Sequence, residues 1–116
     1  MKFKLIMAIV SEEKTQAVVD AARAGGATGA TVITNVRGEG LKPEKTFLGL
    51  DLSAAGDVVL FLVAEPLARD ILEAVAAAGR FDVEPGSGIA LQIGIEDAVG
   101  LKSQLPTLQH EIEDEL

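Results

Sequence analysis

Residues 57–64 read Asp-Val-Val-Leu-Phe-Leu-Val-Ala, an apolar run unbroken from Val58 to Ala64. A strand with one wet face alternates apolar and polar residues, so an unbroken run demands cover on both faces and a central place in a sheet. A membrane span needs roughly 18 apolar residues, and no run in the 116-residue chain approaches that. The rest of the chain must be arranged around this strand, and its length suits one domain rather than two.

Residues 2–10 form a second two-faced strand, with Phe3, Leu5, Met7 and Ile9 on one side and Ile6, Ala8 and Val10 on the other. Ser11 is a candidate N-cap, with Glu12 and Glu13 in a first turn whose dipole favours acids. The helix that follows carries Val18, Val19 and Ala22 inward and stops at Gly25-Gly26. Residues 30–37 are rich in β-branched side chains and read as a strand. After the central strand, Pro66 suits a helix start, and Leu67, Ile71, Leu72 and Val75 recur at helical spacing to about Gly79-Arg80. Turn signals fill 81–88, and 89–95 alternates Ile89, Leu91, Ile93 and Ile95 against Ala90, Gln92 and Gly94.

The order β-α-β-β-α-β is the ferredoxin-like α+β unit, placed over residues 1–101, with an acidic tail at 102–116. Two helices cover one face of a four-stranded sheet. Strands one and three, and the Ala90/Gly94 side of strand four, are expected on the uncovered face. An apolar face of that size is an interface, so the chain is expected to close on copies of itself through its sheets.

Catalysis has little to work with. The chain has no Cys and one His, and His110 lies in the tail beside Glu111, Glu113, Asp114 and Glu115. No metal-ligand spacing occurs, and Glu96-Asp97 fits a turn with an N-cap better than an acid–base pair. A net charge of −8 and 3% aromatic residues argue against a nucleic-acid surface. The apolar stretch at 5–10 is too short for a signal-peptide core. The chain therefore reads as a cytoplasmic non-enzyme without direct membrane insertion, reaching a membrane only through a partner.

Two glycine loops remain. Gly38-Glu39-Gly40 leaves the second strand, and Pro85-Gly86-Ser87-Gly88 enters the fourth. Backbone amides in such loops can approach an anion closely. The first loop opens a long connection to about Gly56 containing Pro43, a length usually reserved for function. Within it, Lys45, Phe47 and Leu48 either fold back on the domain or serve as anchors for a partner.

The segment Gly29-Ala-Thr-Val-Ile-Thr-Asn-Val-Arg-Gly-Glu-Gly40 resembles the second-strand region of PII signal-transduction proteins. The stretch Gly86-Ser-Gly-Ile-Ala-Leu-Gln-Ile93 is similar to their loop before the fourth strand. The resemblance implies a PII-like homotrimer that binds adenine nucleotides in clefts between subunits. It also implies control of an enzyme or membrane transporter through the long connection, their T-loop. Carried over by position, Thr31, Arg37, Gly38, Glu39 and Gly40 form one wall of the nucleotide site, and Gly86, Ser87 and Gly88 the other.

The chain departs from the family pattern in several places. Ile89 stands where a phosphate-contacting lysine is usual, and Leu41-Lys42 where a glutamine assists magnesium and 2-oxoglutarate. Glu96, Asp97, Ala98 and Val99 offer none of the late arginines, and there is no Tyr to uridylylate. Arg37, Lys42, Lys45 and Arg80 face Glu39, Asp82 and Glu84 in composition, a balance that suits AMP or ADP better than ATP unless Mg²⁺ contributes charge. The alternative is a trimeric interaction or scaffold protein with a degenerate cleft that binds no nucleotide. A metal-responsive trimer resembling CutA proteins, which share the fold, would have only carboxylates and His110 as ligands.

Overall fold

The structure, a computed structural model, describes residues 2–37 and 56–101. Strand β1 (Phe3–Ser11) runs into a 3-10 turn (Glu12–Lys14) and helix α1 (Thr15–Ala24). Strand β2 (Thr31–Val36), strand β3 (Gly56–Ala64), helix α2 (Glu65–Gly79) and strand β4 (Gly88–Gly94) follow. The sheet order is β2-β3-β1-β4, and every neighbouring pair is antiparallel. This is the expected ferredoxin-like arrangement, with the two apolar strands β1 and β3 in the middle.

Both helices lie on one face. Ile6, Ala8 and Val10 of β1 and Val59, Phe61 and Val63 of β3 pack there against Val18, Val19 and Ala22 of α1 and Ala68, Ile71 and Val75 of α2. Phe61, Ile6 and Ile71 are the largest fully buried side chains. Helix α2 begins as Pro66 predicts, and the Glu65 N–H, one of the helix's orphan donors, bonds the Lys2 carbonyl at 2.9 Å.

Three expectations are corrected. Residues directly opposite in an antiparallel pair share a face. Ala8 stands opposite Ala90 and Val10 opposite Gly88, so Ala90 belongs to the helix side, where it packs on the core. Ile89, Leu91 and Ile93 instead join Ile9, Met7 and Leu5 on the open face. Ser11 is not a side-chain cap; it is the last residue of β1, and its amide bonds the Ser87 carbonyl at 3.2 Å. Glu96 and Asp97 precede no helix among the described residues.

The open face therefore carries Leu5, Met7 and Ile9, Val58, Leu60 and Leu62, and Ile89, Leu91 and Ile93, an uninterrupted apolar surface across three strands. In β2, Ile33 continues it, and a bulge between Ile33 and Val36 inserts one residue before the strand ends. Asn35 takes the left-handed conformation there, with φ 59°. No described helix is long and apolar enough to cross a membrane.

Candidate functional site

Strand direction decides which loops can meet. Ser11 and Val36 both stand opposite Gly56, and Val10 stands opposite Gly88. The end of β2 and the start of β4 are therefore at the same end of the sheet, which brings Arg37 and Gly86-Ser87-Gly88 to one level. The sheet order puts them at opposite edges, three inter-strand spacings or about 14 Å apart. One chain alone does not join them. Thr31, the first residue of β2, lies opposite Leu60 in the middle of β3; it is exposed and roughly 18 Å along the strand from Arg37. Gly38, Glu39, Gly40, Lys45, Phe47 and Leu48 lie outside the described residues.

The turn from Arg80 to Gly88 is tied down from several directions. The Phe81 ring packs between two glycines: a Cβ on Gly79 would fall 2.1 Å from Phe81 Cε1, and one on Gly88 2.4 Å from it and 2.9 Å from the Ile9 carbonyl oxygen. Gly86 has φ 80°, where an L side chain is strained. Ser87 is buried. Its hydroxyl donates to the carbonyls of Glu84 at 2.8 Å and Arg80 at 3.1 Å, and its N–H bonds the Glu84 carbonyl at 3.2 Å. Ser87 thus directs its donors into its own turn, and Gly88 is needed by packing before any ligand is considered.

One ionic arrangement at this end of the sheet was not foreseen. Glu84 Oε2 lies 3.0 Å from Lys14 Nζ, and Glu84 Oε1 lies 2.8 Å from Arg80 Nε. The hydrogen bond from Lys14, with Arg80 adding to it, holds the Glu84 carboxyl below its ordinary value of 4.5. Lys14 is 70 positions before Glu84 in the sequence, so no local motif could announce the pair.

A groove of about 380 Å³ borders this turn, lined by Arg69, Leu72, Phe81, Gly88, Ile89 and Ala90 among others. A larger cleft of about 770 Å³ lies at the opposite end of the sheet, between Lys2, Lys4, Glu65 and the segment from Gly94 to Leu101. Lysines and carboxylates are mixed along it, and no predicted site residue lines it. Among the described residues no group of side chains has the makings of a metal site.

The sequence model of the family described as nitrogen regulatory protein P-II matches residues 3–104. Among solved structures the chain is similar to CPII from Thiomonas intermedia K12, determined bound to ADP, AMP and acetate. The two share 21% identity with a TM-score of 0.65, over 88% of this chain and 97% of the other. No curated protein matches it at a significant level of sequence similarity.

Proposed function

The chain belongs to the nitrogen regulatory protein P-II family, and from that premise we propose that it is a PII-like regulator, not an enzyme. Three copies form a homotrimer and bind an adenine nucleotide in each cleft between neighbours. The observation that supports this reading is that the end of β2 and the start of β4 stand at the same end of the sheet and at opposite edges. A ligand touching both must lie between two chains, with Arg37 and Gly38–Gly40 of one copy facing Gly86–Gly88 of the next. The open apolar face supplies the surface that brings the copies together.

In this reading the Gly86 and Gly88 backbones approach the phosphates, Ser87 holds their turn in shape, and Thr31 reaches the ligand along the β2 edge. AMP or ADP is preferred to ATP, because Ile89 adds no charge after the glycine loop. The 38–56 connection, with Lys45, Phe47 and Leu48, carries the signal to an enzyme or membrane transporter in the cytoplasm. The nucleotide acts by population shift: it binds one state of that connection more tightly, by about 1–3 kcal/mol, and so favours docking.

Calorimetric titration with AMP, ADP, ATP and cyclic AMP, each with and without Mg²⁺, tests the reading on protein whose mass is fixed by light scattering. Binding near one nucleotide per chain in a trimer supports it, as does its loss in Gly86→Val with the trimer intact. The rival reading, a scaffold with a degenerate cleft, is favoured by the inward-directed donors of Ser87. A trimer that binds nothing in the panel would establish that rival.

A further inference from the structure

We propose that Lys14 and Arg80 form a phosphate subsite guarded by Glu84: the carboxylate holds both cations, and the terminal phosphate of an adenine nucleotide displaces it. The inference rests on the nucleotide reading above and adds to it the groups that meet the charge. It answers a deficit in the chain, which has Ile89 directly after its glycine loop and Glu96-Asp97 after its fourth strand.

Three observations bear on it. Glu84 bridges two cations, Lys14 at 3.0 Å and Arg80 at 2.8 Å, two residues before Gly86. A phosphate presents the same bridging geometry with more charge and more acceptor oxygens. Arg80 occupies the left-handed position after α2, with φ 56°, where glycine is the unstrained choice. A charged side chain kept in such a conformation points to a use for its charge. The Lys14 side chain is 17% exposed and the Glu84 side chain 44%. The lysine is held in place while the carboxylate has an open side through which to rotate away.

That asymmetry makes the exchange coupled. If Glu84 left with nothing in its place, Lys14 and Arg80 would both lose the carboxylate they share, and an incoming anion restores that charge-assisted pairing. Glu84 therefore leaves when another anion arrives. The Ser87 hydroxyl bonds, which use backbone carbonyls, do not depend on the Glu84 carboxylate and hold the turn through the exchange.

The test uses pyrophosphate and ADP on the full chain, with wild type, Glu84→Gln, Glu84→Ala and Lys14→Gln checked for native circular dichroism. Both Glu84 variants are expected to bind pyrophosphate and ADP about tenfold more tightly than wild type, with a steeper salt dependence, because two cations lose their internal partner. Lys14→Gln is expected to weaken both ligands by a similar factor. Unchanged or weaker binding of both ligands in the Glu84 variants overturns the subsite, even where ADP binds wild type well. Tighter pyrophosphate binding in the Glu84 variants, with every nucleotide silent, establishes the anion subsite and overturns its assignment to a nucleotide. Using Ala as well as Gln keeps the result independent of one variant's folding.

Discussion

On the helix side of the sheet, Ile6, Ala8, Val10, Val59 and Phe61 are sealed from water. On the other side, Leu5, Met7, Ile9, Val58, Leu60 and Leu62 come from the same two strands in strict alternation and remain only partly buried. Composition does not separate the two sets; cover does. The first set has two helices over it. The second has none among the described elements, although each large aliphatic side chain is worth about 1.5–3 kcal/mol on full burial. An apolar face left in that condition is what the proposed assembly would cover.

The strongest way to break the comparison is from the sealed side. Phe61 is 1% exposed and touches both helices' layer, so Phe61→Ala is expected to cost about 3–5 kcal/mol through lost burial and the cavity left behind. Urea denaturation of wild type and variant measures it. A loss below about 1 kcal/mol would mean that β3 is not the centre of the core.

Gly88→Ala comes next. The added methyl would sit against the Phe81 ring and, less forgivingly, the Ile9 backbone carbonyl. Overpacking of this kind costs about 1–3 kcal/mol. Because Gly88 is also proposed at the nucleotide, the informative comparison is Gly86→Ala, which strains the backbone at φ 80°. Stability lost mainly at Gly88 and binding lost at both would separate packing from recognition.

The faces themselves show what a sequence reveals. The apolar run in β3 was enough to place that strand centrally, and with the two apolar faces of β1 it predicted an uncovered face. Alternation in β4 also showed two faces but not which was which. That depends on register, and only the pairing of Ala8 with Ala90 puts Ile89, Leu91 and Ile93 outward. The candidate site divides the same way. The turn before β4 was legible as a turn because glycine and proline patterns are local. The contact of Glu84 with Lys14 was not, because Lys14 comes from a turn after β1, 70 positions earlier, and only the fold brings it there, whereas Arg80 stands just four residues before Glu84. Ser11 misled for a related reason: its neighbours Glu12 and Glu13 suit a helix start, yet its amide extends the β1–β4 contact to Ser87.

From the open side, the expected effect on the single chain is smaller and the effect on assembly is large. Leu60→Glu places a charge in the middle of the open face, between Met7 and Thr31. The isolated chain is expected to lose about 1 kcal/mol or less, while light scattering should show the mass of the proposed trimer replaced by a single chain's. Nucleotide binding should disappear with it, since each proposed cleft needs two copies. A variant that stays trimeric would break the link between this face and assembly.

The smallest effect concerns the charged tie at the glycine turn, and its pH dependence has a definite sign. Glu84's carboxyl is held below its ordinary 4.5 in the folded chain, chiefly by the Lys14 hydrogen bond and then by Arg80. A carboxyl with a depressed folded value contributes stability that is fully present above its unfolded value and is lost as pH falls through the folded one. The melting-temperature difference between wild type and Glu84→Gln should therefore stay constant from neutral pH down to about 5 and shrink only below 4.5. Because the tie is open to water on one side, salt should shrink it as well. A difference that changes between pH 7 and 6 would point to a different group, and one that ignores salt would mean that Glu84 acts through packing instead of charge.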